Sequence, residues 1–205
     1  MRARIIFMIK LIIFDVGGVI LHFNDDIYKR MLSKKFKISY KELSTITDPL
    51  LVKMDIGKAT LKDLEKALHK NFGISKRDMA WNDTYKSIAR VDKEMIALIE
   101  RLSKRYKIAM LTNTCRSRYV YALNRFINKG LFDGRFASCY LGMKKPDACI
   151  FHHVLRMMRS SPHGAVFIDN MAENVRGARR IGIRSIKFEN HRQLVRELKS
   201  LGVSA

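Results

Sequence analysis

The chain has 205 residues, 47% of them hydrophobic, which suffices for one α/β domain with an inserted segment and excludes global disorder. Its 40 lysine and arginine residues against 19 acidic residues give a formal net charge of +21, which favours phosphorylated or polyanionic partners. The basic residues are dispersed and accompany no nucleic-acid-binding motif, so nucleic acid is not the expected partner, although the charge does not exclude it.

The cysteines and the apolar start of the chain bear on where the protein works. Three cysteines show neither metal-binding spacing nor a disulfide framework: Cys115, Cys139 and Cys149. Free thiols fit a reducing compartment, so a cytoplasmic protein is expected. The apolar run before Asp15 is too short to span a bilayer, so we expect a buried first strand and no membrane partner.

The first predicted strand ends in a single carboxylate that two glycines follow closely. The segment reads Leu11-Ile12-Ile13-Phe14-Asp15-Val16-Gly17-Gly18. Open α/β sheets carry their chemistry at the carboxyl ends of the strands. Asp15 is therefore the first candidate for a functional residue.

A helical block is predicted next, with no clear strand between about residues 24 and 105. Apolar residues recur there at helical spacing, and Thr60 with Asp63 forms the pattern of a capping box. Gly73 is placed to end that helix. Trp81 and Tyr85 lie one helical turn apart, so we expect them to pack inside the block, with a substrate-facing position as the alternative.

Strands and helices alternate in the remainder of the chain. Strands are predicted at 107–111, 165–168 and 184–188, and helices at about 116–129, 147–158, 172–181 and 191–201. This alternation predicts an α/β fold, a parallel sheet with right-handed crossovers.

Polar residues of defined types follow the predicted strands. Asp15 follows the first strand, Thr112 and Asn113 the second, and Asp169 a later one, while Lys145 lies in a loop before Pro146. Since the ends of parallel strands converge on one crevice, we expect these side chains to meet. Two carboxylates can hold Mg²⁺, a lysine can offset phosphate charge, and an ionised aspartate can attack phosphorus.

Four segments in this order and spacing resemble the haloacid dehalogenase superfamily of phosphohydrolases. The resemblance covers about residues 9–190 and is strongest to sugar-phosphate phosphatases similar to bacterial glucose-1-phosphate phosphatase and to the N-terminal phosphatase domain of soluble epoxide hydrolase. The segments are Phe14-Asp15-Val16-Gly17-Gly18-Val19, Leu111-Thr112-Asn113-Thr114, Gly142-Met143-Lys144-Lys145-Pro146-Asp147 and Phe167-Ile168-Asp169-Asn170.

The resemblance implies a fold and a domain organisation. The fold would be a Rossmann-like parallel sheet with helices on both faces and a helical cap inserted after the first strand. Residues 1–23 and 96–205 would form the core, and residues 24–95 the cap that selects the substrate.

The resemblance also implies a reaction, a Mg²⁺-dependent hydrolysis of a small phosphorylated metabolite, such as a sugar phosphate, through an aspartyl-phosphate. Asp15 would be the nucleophile and a metal ligand, with the backbone carbonyl of Gly17 and the carboxylate of Asp169 as further ligands. Thr112, with Asn113, would bind phosphoryl oxygens. Lys145 would orient Asp15, offset charge and contact the substrate.

Gly17 departs from the family pattern, in which a second aspartate usually acts as general acid and base at this position. Glycine cannot transfer protons, and such catalysis is typically worth about 10²–10⁴-fold. The backbone carbonyl needed for metal binding survives, and members of the subfamily tolerate glycine here, so we predict slow or leaving-group-selective turnover. His22 and Glu173 are the candidates to replace the missing acid. Asn170 likewise replaces a common second acid of the last motif.

Two other functions compete with the phosphatase. One is a non-catalytic or weakly active phosphoryl-binding protein, which the absent acid at Gly17 suggests. The other is a haloacid dehalogenase, which needs no metal. Asp169 argues against the dehalogenase, because a metal-binding carboxylate has little use in that reaction.

Overall fold

The strands of the chain lie mostly in one parallel sheet. The computed structural model describes residues 8–22, 25–79, 89–125 and 129–204. The strands are β1 (Leu11–Phe14), β2 (Leu21–His22), β3 (Arg90–Val91), β4 (Lys107–Thr112), β5 (Gly134–Ala137), β6 (Ala165–Asp169) and β7 (Arg184–Lys187). Five of them form a sheet in the order β5-β4-β1-β6-β7, with every neighbouring pair parallel.

The helices divide into an inserted group and a group that packs on the sheet. The inserted group is α1 (Asp25–Phe36), α2 (Tyr40–Asp55), α3 (Leu61–Phe72) and α4 (Lys76–Met79). The second group is α5 (Lys93–Ser103), α6 (Arg116–Arg125), α7 (Ser138–Leu141), α8 (Ala148–Met158), α9 (Ala172–Arg180) and α10 (His191–Ser200). None of the helices in the described ranges is both long enough and apolar enough to cross a membrane.

The central strand β1 is buried on both faces, which accounts for its unbroken apolar sequence. Ile12 and Phe14 point into one hydrophobic cluster, to which α5 and α10 contribute. Leu11 and Ile13 point into a second cluster, to which α8 and α9 contribute. Helices thus cover both faces of the sheet, and the predicted Rossmann-like α/β architecture is confirmed.

The inserted helices, α1–α4, bury a hydrophobic cluster of their own. Local sequence sets their limits: Thr60 and Asp63 form the predicted capping box of α3, and Gly73 ends this helix in the left-handed region at φ 66°. The expectation for Trp81 and Tyr85 concerns residues outside the described ranges. The exact division into core and cap stays a prediction.

Three short strands, β2, β3 and β5, were not expected. The prediction that no strand lies between about residues 24 and 105 was wrong, because β3 pairs antiparallel with β2 at the root of the insertion. A strand of two residues is too short to show an alternating pattern. The edge strand β5 was missed as well, since Gly134 and Arg135 interrupt its apolar sequence.

Asp92 joins three parts of the chain at this root. Its carboxylate caps α5 by accepting from the Met95 backbone N–H at 2.9 Å. It also accepts from Nε2 of His191 in α10 at 2.9 Å and from Nε2 of His22 in β2 at 3.1 Å. Partial burial opposes ionisation most strongly, but these hydrogen bonds together hold the pKa of Asp92 below its usual value.

We expect Asp92→Asn to lower the free energy of unfolding by about 1–2 kcal/mol at pH 7, because asparagine can cap the helix but is a weaker acceptor than a carboxylate for the two histidine N–H groups. A carboxyl whose pKa is lower in the folded than in the unfolded state stabilises the folded protein at pH values above its unfolded pKa, about 3.9. It loses that contribution as the pH falls through its folded pKa. Urea unfolding should therefore show the deficit above about pH 4 and its decline below. The control is Glu94→Gln, since exposed Glu94 lies 3.9 Å from His191. An equal deficit at every pH would contradict this account.

Candidate active site

A buried ionic cluster lies at the carboxyl edge of the sheet. The Lys145 Nζ is 2.7 Å from Oδ1 of Asp15 and 2.7 Å from Oδ2 of Asp169, and it donates to the Leu111 carbonyl at 3.0 Å. The exposed fractions are 6% for Asp15, 2% for Lys145 and 0% for Asp169. The structure thus brings together three of the residues that the sequence predicted for the site.

Strand register explains this convergence. Phe14, directly before Asp15, pairs with Met110 on one side and with Ile168 on the other. The strands β1, β4 and β6 therefore end side by side. Thr112 is the last residue of β4 and is 5% exposed, so it lies at the same edge next to Asp15.

The Asn113 side chain holds the loop that carries Lys145. Its Oδ1 accepts from the Lys145 backbone N–H at 2.9 Å, and its Nδ2 donates to the Lys145 carbonyl at 2.8 Å. Both ends of this amide are therefore bonded to the lysine backbone. The positioning role was not foreseen from the sequence, and contact of Asn113 with a phosphoryl oxygen stays a prediction.

Two glycines permit the close approaches on which the cluster depends. A Cβ at position 177 in α9 would lie 2.5 Å from the Pro146 carbonyl oxygen, beside Lys145. A Cβ at Gly18 would lie 2.4 Å from Nδ2 of Asn170, and Gly18 also has a φ of +78°. A side chain at position 177 would push α9 away from the loop that carries Lys145, and one at position 18 would be strained by its φ and would displace the Asn170 side chain.

Asp169 is held in place by hydrogen bonds from the start of α9. Its Oδ1 accepts from the Met171 backbone N–H at 2.7 Å, and its Oδ2 accepts from Nδ2 of Asn174 at 3.0 Å. Within the part of the chain that the structure describes, Oδ1 of Asn170 and Oδ1 of Asn174 are buried without a hydrogen-bond partner. Buried oxygens of this kind call for a water molecule or a cation.

These observations fit Mg²⁺. The carboxylates of Asp15 and Asp169 are hard oxygen donors, which Mg²⁺ prefers, while the part of the Gly17 carbonyl in metal binding stays a prediction. In the described ranges, no group of three or more His, Cys, Asp or Glu side chains could hold a metal. A sparse site of this type suits Mg²⁺, because the ion keeps several of its waters.

Charge is unbalanced in the cluster, since two carboxylates face one ammonium group. Burial, reinforced by the charge of Asp169 and opposed by that of Lys145, raises the pKa of Asp15 to about 6. A divalent cation beside Asp15 would favour the ionised form, and this is the form that a nucleophile needs.

Of the two candidates for the missing general acid, one contacts a residue outside the cluster and the other is exposed. His22 is half-exposed and hydrogen-bonds to Asp92. Glu173 is exposed in the first turn of α9. Neither position assigns an acid to the cluster. The replacement of the missing acid by His22 or by Glu173 therefore stays a prediction.

Comparisons with known proteins identify the family of the chain. A family model of haloacid dehalogenase-like hydrolases matches residues 9–182. The chain is 27% identical to a sesquiterpene phosphatase of Aspergillus oryzae over 94% of this chain and 96% of that protein. It is 24% identical to a D-ribitol-5-phosphate phosphatase of Bacteroides thetaiotaomicron, over 89% and 93%.

A solved structure shares the fold. The wild-type enzyme bt-2542 of Bacteroides thetaiotaomicron, in complex with magnesium and inorganic phosphate, superposes with a TM-score of 0.75 at 19% identity, over 88% of this chain and 94% of that one. The family model spans most of the chain, including all four motifs of the site. The chain therefore belongs to the haloacid dehalogenase-like hydrolases.

Proposed function

We propose that the protein is a Mg²⁺-dependent phosphatase that hydrolyses a small phosphorylated metabolite through an aspartyl-phosphate on Asp15. The observation that carries this proposal is the position of Lys145, whose Nζ lies 2.7 Å from a carboxylate oxygen of both Asp15 and Asp169. Such a cluster offers a nucleophile, a charge partner and two metal ligands at one point. The phosphatases among its relatives support the choice of a phosphate ester.

The residues have separate roles in this proposal. Asp15, Asp169 and the Gly17 carbonyl would hold Mg²⁺, which when bound would neutralise charge on the phosphoryl oxygens. Lys145 orients the Asp15 carboxylate and offsets charge from the other side. Thr112 binds a phosphoryl oxygen through its hydroxyl, and the inserted helices form the cap that selects the substrate.

The reaction proceeds in two displacements. A carboxylate oxygen of Asp15 attacks phosphorus while the bond to the leaving alcohol oxygen breaks, and that oxygen takes up a proton. Water then attacks phosphorus, the acyl-phosphate bond breaks, and the carboxylate and inorganic phosphate are released. With glycine at position 17, the proton for the leaving group comes from solvent, so the first displacement depends on a good leaving group.

Gly17→Asp tests the role of the missing acid. We expect kcat/KM for an alkyl phosphate, a poor leaving group, to rise by about 10–10²-fold, because the aspartate can protonate the departing oxygen. An activated aryl phosphate needs little acid assistance and should gain far less. Gly17→Asn is the control, similar in size but unable to donate such a proton. If the ratio of alkyl to aryl rates were unchanged in a folded Gly17→Asp variant, proton transfer would not limit this enzyme.

The proposed function itself is tested by phosphate release from an aryl phosphate. We expect turnover with Mg²⁺, its loss on addition of a chelator, and its recovery when Mg²⁺ is restored. A protein inert towards aryl, sugar and nucleotide phosphates would be a phosphoryl-binding protein. Chelator-insensitive halide release from a 2-haloacid would instead identify a dehalogenase.

A further inference from the structure

A cavity of about 820 Å³ lies where the inserted helices meet the sheet domain. Its volume is in the range of pockets that bind small organic ligands. The insertion and the core both supply apolar lining, namely Met54, Ala59, Leu61, Cys115, Val120 and Tyr121.

Two of the loops that line the cavity leave the sheet at the same edge as Asp15. Cys115 follows Thr112 by three residues, so the lining begins in the loop that leaves β4. Cys139 lies two residues beyond Ala137, which pairs with Thr112 across β4 and β5. Since neighbouring strands are about 5 Å apart, these loops start about 5 Å and about 10 Å from the end of β1. A phosphate on Asp15 can therefore carry an organic group that extends into the cavity.

Close packing between the insertion and the core forms one wall. Gly57, in the loop after α2, has a φ of +72°, and a Cβ there would lie 2.4 Å from the Cys139 carbonyl oxygen. Cys115 is buried within the hydrophobic cluster of the inserted helices. The cavity is therefore a built feature of the junction between the two parts.

The chemistry of the lining favours hydrocarbon over a polyol. The Thr60 hydroxyl donates to Asp63 at 2.7 Å, and the Ser117 hydroxyl lies 3.3 Å from the Cys115 sulfur, so local partners already engage both groups. Burial raises the pKa of Cys139 to about 11, as expected for a thiol in poorly hydrated surroundings. Arg116 and Asn124 also line the cavity, but apolar side chains make up most of the lining. A sugar would leave several of its hydroxyls unpaired against that apolar part, and each unpaired group costs binding free energy.

We infer that this cavity binds the organic group of the substrate and that this organic group is largely apolar. The inference rests on the proposed phosphatase function, which it makes more specific. Burial of one methylene is worth about 0.8 kcal/mol, which corresponds to about a threefold to fourfold gain. Each added methylene should raise kcat/KM by about that factor until the cavity is filled.

A series of n-alkyl phosphates from ethyl to decyl tests this expectation with the Mg²⁺-loaded protein. The leaving alcohols in this series differ little in acidity, so chain length reports on binding. Val120→Asp should reduce the gain from ethyl to decyl phosphate by at least about tenfold, because it places a carboxylate in the apolar lining. Val120 is 45% exposed, so the fold should tolerate the change. Val52→Asp is the matched control, since Val52 is also on a helix, is 48% exposed and does not line the cavity.

Calorimetric binding of decylphosphonate and ethylphosphonate separates this inference from the proposed function, because it needs no turnover. Tighter binding of the decyl compound that Val120→Asp weakens and Val52→Asp does not would support the inference, even in a protein without phosphatase activity. Turnover or binding that is independent of chain length would overturn it and leave the phosphatase intact. A preference for a sugar phosphate whose leaving group is a primary alcohol over decyl phosphate would overturn it as well.

Discussion

Replacing Lys145 by methionine is expected to lower the free energy of unfolding by about 3–5 kcal/mol at neutral pH, the usual cost of removing one partner from a buried ion pair. Methionine fills a similar volume but leaves Asp15 and Asp169 facing each other without a cation. Both carboxylates are almost fully buried, so water can replace little of the lost interaction. Turnover should be lost as well, because the attacking carboxylate loses the group that orients it.

The pH dependence of this loss identifies its cause. The pKa of Asp15 is already raised to about 6, and removing the charge of Lys145, which lowers it, should raise it further. A carboxyl whose pKa is higher in the folded than in the unfolded state lowers the free energy of unfolding at pH values above its folded pKa. It has no such effect below its unfolded pKa, about 3.8. The deficit of Lys145→Met should therefore shrink between pH 7.5 and pH 5.

Urea unfolding of metal-free protein at both pH values measures the effect. Lys144→Met is the matched control, because it makes the same change of charge one residue earlier, outside the ionic cluster. A Lys145→Met protein within about 1 kcal/mol of this control at pH 7.5 would show that the cluster does not depend on its cation.

Asp15→Asn is expected to reduce kcat by more than about 10³-fold, because the amide cannot form the covalent intermediate. The same change should stabilise the metal-free protein by about 1–3 kcal/mol at pH 7.5. The ionised Asp15 carboxylate is costly above its raised pKa of about 6, and asparagine resembles the neutral form. The gain should decline as the pH falls below 6 and vanish below about pH 4.

Thermal melts with a chelator and with Mg²⁺ complete this test. Mg²⁺ should raise the melting temperature of the wild type through binding to the folded state, and it should raise that of Asp15→Asn much less. Asp169→Asn provides a comparison, since it removes a proposed metal ligand and keeps the nucleophile. Activity of Asp15→Asn within tenfold of the wild type would rule out an aspartyl-phosphate on this residue.

Much of the site could be predicted because it depends on strand ends. The strands β1, β4 and β6 are each marked by a short apolar run, and a parallel sheet brings the residues that follow these strands to one edge. This reasoning alone predicted that Asp15, Thr112 and Asp169 lie at the site. Lys145 was expected to meet them, but its role in orienting Asp15 came from the resemblance, because its loop follows a short helix and no strand.

The contacts that support the site could not be predicted in this way. Asn113 bonds to a residue 32 positions later, and Asp92 to one 99 positions later, so no local periodicity reports them. From the sequence alone, these side chains cannot be distinguished from those of ordinary turns and helix caps. The apolar cavity could not be predicted from the sequence either, because its lining comes from the insertion and the core together.

The paired hydrogen bonds between Asn113 and Lys145 have a consequence for how substrate and nucleophile communicate. We expect the loop that carries Thr112 and Asn113 to move together with the loop that carries Lys145, since both ends of the Asn113 amide join them. A ligand that shifts the end of β4 therefore also shifts the charge that orients Asp15. Binding of a ligand at the end of β4 and the orientation of the Asp15 carboxylate would then be coupled.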